Sequence, residues 1–230
     1  MKRKLVVITL VVLGLLAILA ALHGPVAAWL EMRESWLPDD ARVDAVYIMG
    51  GQWDHERVDG LKAWLAGGGQ TDRILVPEDN SKGRWSRSSH RNLSTGEWML
   101  ETLHTALNEL QCTVPVEVIT LSMEGTDAEM MDLAALVARR DDIGSLALAT
   151  SRFHIRRTHS RAQKWLGKPP GMIPAISIWQ DRSPVVVGAE LLKMVRDALG
   201  LSTAPMLNRW WWLERLGRTG FLLVKGRSLA

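Results

Sequence analysis

From residue 43 onward, short apolar runs alternate strictly with amphipathic stretches, and few folds accept that order. Val43 to Met49 is rich in β-branched residues and ends in Gly50-Gly51, the pattern of a buried strand feeding a turn. Glu56 to Ala66 then reads as a helix stopped by Gly67-Gly68-Gly69. The same alternation predicts strands at Arg73–Val76, Val116–Leu121, Ser145–Ala149 and Ile173–Ile178. The helices that follow them are predicted at Thr95–Leu110, Asp127–Arg139, His154–Leu166 and Val186–Leu199. Five strand–helix units specify an α/β fold: a Rossmann-like three-layer sandwich with a mostly parallel sheet of about five strands. No internal repeat is visible.

Pro77 to Leu93, between the second strand and its helix, is long for a βα connection and is read as a loop. It carries Lys82, Arg84, Arg87, His90 and Arg91. Two readings stand: a surface insertion, or a lid that brings these donors to an anion.

The N-terminus belongs to a different solvent. Leu5 to Leu22 is 18 residues without a charge, about 27 Å as a helix and close to the thickness of a hydrocarbon core. Lys2, Arg3 and Lys4 precede it, whereas Glu31, Arg33, Glu34, Asp39 and Asp40 follow. This asymmetry predicts a single transmembrane anchor with the N-terminus in the cytoplasm and the remainder exported. A cleaved signal peptide is the competing reading, because Val26-Ala27-Ala28 has the small residues signal peptidase favours and the mature chain would start at Trp29. The expected organisation is a cytoplasmic tip (1–4), the anchor (5–22), a juxtamembrane linker (23–42) with a short interfacial helix from Val26 to Trp36, and the α/β domain (43–201). A Trp- and Arg-rich segment (202–230) follows. In that last segment Trp210, Trp211 and Trp212 sit among Arg209, Arg215 and Arg218, which suits a helix on the bilayer surface, a helix packed on the domain, or a partly disordered tail.

Charge removes some function classes. The 28 basic residues exceed the 25 acidic ones by only 3, so nothing suggests a nucleic-acid partner. Cys112 is the lone cysteine and excludes an intramolecular disulfide. No metal motif is present, since His154 and His159 are five apart, off single-face spacing. No cofactor follows from the residues.

In an open α/β sheet, ligands bind beyond the carboxyl ends of the strands. After the first strand come Gly50, Gly51, Gln52 and Arg57; after the fourth come Thr150, Ser151, His154, Arg156 and Arg157. Glycines let the backbone approach a ligand, and helix N-termini offer amide donors to an anion. His154 and Arg157, three apart, share one helix face. The candidate ligand-binding residues are Gly50, Gly51, Arg57, Thr150, Ser151 and Arg157, with His154 as general acid or base. A Ser151 nucleophile paired with His154 is a weaker alternative, because Ser151 lacks the Gly-x-Ser-x-Gly elbow.

Between Val43 and Leu201 the chain resembles the YdcF/SanA/ElyC family of bacterial envelope-associated proteins. The resemblance rests on Asp44-Ala45-Val46 with Gly50-Gly51, Arg57, Glu97, and above all Thr150-Ser151-Arg152-Phe153-His154-Ile155-Arg156-Arg157. A final helix, Glu190 to Leu201, matches the family's Leu-Gly ending. Two loops depart from the family pattern: Pro77-Glu78-Asp79-Asn80 stands for Ser-Gly-Gly, and Thr126-Asp127-Ala128-Glu129 for Thr-x-Glu-Asn. The resemblance implies a Rossmann-like nucleotide-binder fold and links membrane-anchored members to peptidoglycan, envelope barrier function and lipid-carrier metabolism. One branch is associated with S-adenosylmethionine.

These readings lead to an envelope-biogenesis factor of the inner membrane, whose partners are membrane lipid and an anionic small-molecule or lipid-linked ligand. Two alternatives are a non-catalytic scaffolding protein and a cytosol-facing S-adenosylmethionine binder.

Overall fold

The computed structural model describes residues 22–51, 54–121, 125–176 and 183–199. The expected anchor, apart from Leu22, lies outside these residues, as do Gln52, the end of the expected fifth strand and the segment 202–230. Among the described residues no helix is long and apolar enough to cross a membrane.

Helical residues 22–31 (α1) lead into a 3-10 turn at Arg33–Ser35. The chain then runs β1 (Arg42–Ile48), α2 (Asp54–Ala66), β2 (Gln70–Pro77), β3 (Lys82–Ser86), β4 (Arg91–Ser94) and α3 (Thr95–Glu109). It continues with β5 (Val116–Ile119), α4 (Thr126–Val137), β6 (Leu146–Thr150), a 3-10 turn (Arg152–His154), α5 (Ile155–Leu166), β7 (Gly171–Pro174) and α6 (Pro184–Ala198). Two compact units result, Met32–Ile178 and the paired ends Met1–Glu31 with Trp179–Ala230.

The larger unit holds a five-stranded sheet in the order β5-β2-β1-β6-β7, every neighbour parallel. Sides alternate along the strands. Val46, Ile48, Ile74 and Val76 join Val58, Leu61 and Trp64 of α2 and Met99 and Leu103 of α3 in one core. Ala45, Tyr47, Leu75 and Leu148 join Met130 and Leu133 of α4 and Ile155 and Ala162 of α5 in the other. Helices cover both faces, so the Rossmann-like α/β expectation holds. The strands are short apolar runs because both faces are buried.

Three local readings change. Residues 78–94 are not a loop: they contain the antiparallel β3–β4 hairpin. Its residues bond to α3, with Ser86 and Ser88 hydroxyls on Glu101 and Arg91 on Glu97. The fifth parallel strand starts at Gly171, two residues before Ile173. Part of the expected linker belongs to this unit: Trp36 bridges Met172 in parallel and Leu37 N donates to Met172 O at 2.9 Å, covering the outer edge of β7.

Two glycines mark where elements meet too closely for a side chain. A Cβ on Gly60 of α2 would lie 2.4 Å from the Pro174 carbonyl oxygen of β7, and one on Gly171 would lie 2.4 Å from Leu37 Cδ2. Backbone of a buried strand cannot yield, whereas a leucine end can rotate. Gly60→Ala should therefore destabilise the domain, overpacking of about 1–3 kcal/mol outweighing about 1 kcal/mol of gained helix propensity. Gly171→Ala should cost less. Denaturant midpoints of the two variants check the order, and the reverse order would contradict this packing.

Candidate functional site

The pairing of β1 with β6 divides the sheet. From β1 the chain crosses through α2 to β2 on one side, and from β6 through α5 to β7 on the other. The two connections diverge, and the carboxyl ends of β1 and β6 lie at this topological switch point, where open α/β sheets characteristically bind their ligands. Gly50 and Gly51 end one wall; Ser151 and the Arg152–His154 turn begin the other.

Arg57, in the first turn of α2, is buried and joins the two walls. Its Nη1 donates to the Met49 and Gly50 carbonyls, and its Nε to Ser151 Oγ at 3.4 Å. Gly51 has φ +115°, a conformation that side-chain-bearing residues rarely adopt, so the turn above Arg57 requires glycine there.

A buried carboxylate lies beneath this wall. Glu129 of α4 accepts two bonds on Oε1, from the Tyr47 hydroxyl at 2.6 Å and from Gly50 N at 2.6 Å. Burial pushes its carboxyl above the usual range; the Tyr47 and Gly50 donors and the charges of Arg57 and Arg157 pull the other way. Burial, followed by the Glu129 charge, also holds the Tyr47 hydroxyl well above its usual range. Gly50 thus gives its N–H to Glu129 and its carbonyl to Arg57, so both of its backbone groups are engaged within the protein. Glu129 and Tyr47 were not among the residues expected from sequence at this site.

His154 and Arg157 come together as their spacing predicts. Both are buried, and Arg157 Nη2 lies 3.3 Å from each ring nitrogen of His154. Thr126 Oγ1 is 3.1 Å from His154 Nε2. A guanidinium only donates, and the Thr126 hydroxyl can donate or accept, so both polar side chains around the ring can serve it. Thr150 and Ser151 are fully buried; Ser151 meets Arg57, and Thr150 Oγ1 has no hydrogen-bond partner among the described residues.

Other expected donors go elsewhere. Arg156 faces Glu34 at 3.6 Å. Arg91 forms a fork with Glu97, to Oε2 at 3.0 Å and Oε1 at 2.6 Å. Glu97 and Ser94 form a reciprocal capping box at the start of α3, and the Arg91 bonds hold the Glu97 carboxyl down at about 2. The amides of Thr95 and Gly96 bond the Ser81 and Asp79 carbonyls at 3.0 and 2.8 Å. The N-terminus of α3 is thereby capped by the chain's own backbone in the altered Pro77–Asn80 region. A groove lined by Val118, Thr120, Asp132 and Arg139 lies along edge strand β5; β5 is two strand spacings, about 10 Å, from β1, with β2 between them. Among the described residues no group of three or more His, Cys, Asp and Glu is placed to hold a metal ion.

No protein-family model matches the chain, and no curated protein or solved structure matches it.

Replacing Glu129 separates its charge from its hydrogen bonds. Glu129→Ala leaves the Tyr47 hydroxyl and Gly50 amide without their acceptor and should cost about 2–4 kcal/mol. Glu129→Gln keeps an acceptor oxygen. Because the folded carboxyl binds its proton more tightly than the unfolded one, its stabilising contribution is full below the ordinary carboxyl range, about pH 4, and declines as pH rises through the folded value. Chemical denaturation from pH 4 to 8 should show the stability difference moving toward Glu129→Gln with rising pH.

Proposed function

We propose that this chain is a single-pass inner-membrane envelope-biogenesis factor of the YdcF/SanA/ElyC type. In this reading the N-terminus is cytoplasmic and the α/β domain is extracytoplasmic. That domain binds an anionic, phosphate-bearing ligand of the lipid-linked cell-wall intermediate class. The observation that carries the ligand class is the convergence of buried Arg57, Arg157, His154 and Ser151 on the carboxyl ends of β1 and β6. A guanidinium presents a planar fork of donors that matches phosphate oxygens. Arg57 and Arg157 supply the guanidiniums for ligand charge, with His154 beside Arg157. Where the bound ligand is turned over, His154 transfers the proton, a task suited to imidazole near neutral pH.

Two features support the membrane placement. One is the uncharged stretch Leu5–Leu22 with its basic N-terminal flank. The other is that Ala27, buried with Leu30 and Val187, would be lost from that cluster by cleavage after Ala28.

A second reading, binding without turnover, is favoured by the engagement of Gly50 with Glu129 and by the capped N-terminus of α3. Backbone donors at the β1 end and at the start of α3 are used internally in this chain.

Arg157→Ala and His154→Ala should each weaken binding of a short polyprenyl phosphate by about 10- to 100-fold, the loss of one charge-assisted contact. Asn108→Ala, on the exposed side of α3, should leave it unchanged. Titration calorimetry decides, and unaltered affinity in Arg157→Ala discards the site. Topology is checked separately: alkaline phosphatase fused after Ala230 should be active, and fluorescence from a reporter that matures only in the cytosol would overturn the export.

A further inference from the structure

The helix α6 is inside out. Its four charged residues are Glu190, Lys193, Arg196 and Asp197; Glu190 and Asp197 are buried and the other two half-buried. Lys193 pairs with Glu190 at 3.6 Å and Arg196 with Asp197 at 3.0 Å. The exposed positions from 184 to 199 are Pro184, Val185, Ala189, Leu192, Val195, Ala198 and Leu199, every one apolar. Val185, Leu192, Val195 and Leu199 are more than half exposed.

Together with Ala189 these four recur at i, i+4, i+7, i+10 and i+14, one continuous stripe about 21 Å long. A second stripe, Val187, Leu191 and Met194, is already used: it packs on Val26, Ala27 and Leu30 of α1. The outer stripe is therefore surplus to the packing of this unit. Leu and Val side chains left in water forgo the gain of apolar burial, so the pattern calls for an apolar neighbour.

We propose that this outer stripe of α6 lies on the lipid bilayer, embedded at the boundary of headgroups and acyl chains. The proposal rests on the membrane-bound reading above and adds a second contact to it. Position identifies the occupant. The uncharged stretch ends at Leu22, where the described part of α1 begins. The α1 residues that carry α6 follow four to eight residues later, about 6–12 Å along the helix. The polar layer of a bilayer is about 5–8 Å thick on each side, so α6 is held within reach of it. Trp29, 47% exposed on α1, is the residue type that settles at this depth. An interfacial helix lies in the plane with its apolar side about 5–10 Å deep, which the α6 stripe satisfies without spanning.

The test uses the full chain in vesicles of phosphatidylcholine and phosphatidylglycerol. Cys112→Ser removes the native thiol; Leu192→Cys, Val195→Cys or, as control, exposed Asn108→Cys then takes an environment-sensitive fluorophore. Labels at 192 and 195 should emit at shorter wavelength than the label at 108 and lose intensity when the lipids carry a nitroxide near the glycerol. Emission equal to the control overturns the proposal. A blue shift without lipid quenching also overturns it, because protein then covers the stripe, either a second copy or this chain's own 202–230 segment. Carbonate extraction of the same vesicles keeps the two readings apart. Release of the chain counts against the single-pass anchor alone; retention with water-exposed labels counts against the α6 surface alone.

Discussion

The parallel pairing of β1 with β6 is the constraint on which the larger unit depends, and it is pinned at both ends by side chains. At the amino ends, the Asp44 carboxylate accepts the Gly144 and Ser145 amides at 2.8 and 2.7 Å, and Ser145 Oγ accepts Asp44 N at 2.9 Å. Those donors, the Ser145 amide first, hold the Asp44 carboxyl below its usual range. At the carboxyl ends, Arg57 bonds both Gly50 and Ser151. Between the clamps the register runs Ala45↔Leu146 to Ile48↔Ala149. A one-residue slip would turn Tyr47 from the α4 side toward α2 and α3, removing Glu129's donor. This pair is the place where the connections part.

Charge inside the larger unit follows from the same pairing. Glu129 reaches β1 from α4, and its burial would be costly without the Tyr47 and Gly50 donors and the nearby guanidiniums. In many phosphate sites a glycine amide faces the ligand; here the Gly50 amide faces Glu129. On the α5 side, Arg157 and the Thr126 hydroxyl lie beside the His154 ring.

Much of the fold was legible because its strands are buried on both faces and read as apolar runs. The β3–β4 hairpin was not legible. Lys82–Ser86 and Arg91–Ser94 contain little apolar surface, and their order comes from bonds to Glu97 and Glu101 of α3. The start of β7 was missed because Gly171 has no strand preference; its place is set by Leu37, from a segment read as linker. At the site, Arg57, Ser151, His154 and Arg157 could be found by their position after strands. Glu129 could not, since its donors Tyr47 and Gly50 lie 82 and 79 residues away along the chain. Sequence spacing reveals partners within one helix; it is silent on partners that only strand order brings together.

Helix α6 shows the same limit in another form. Apolar periodicity predicts that a helix has a buried side, but α6 carries two apolar stripes, and periodicity cannot rank them. The structure ranks them through burial: Val187 is covered with Ala27 and Leu30 while Leu192 and Val195 stand exposed. Inside and outside are defined by the surrounding medium as much as by the chain. A helix with carboxylates turned inward and leucines outward is anomalous in water and ordinary against lipid. In the lipid contact proposed for α6, the arrangement is consistent.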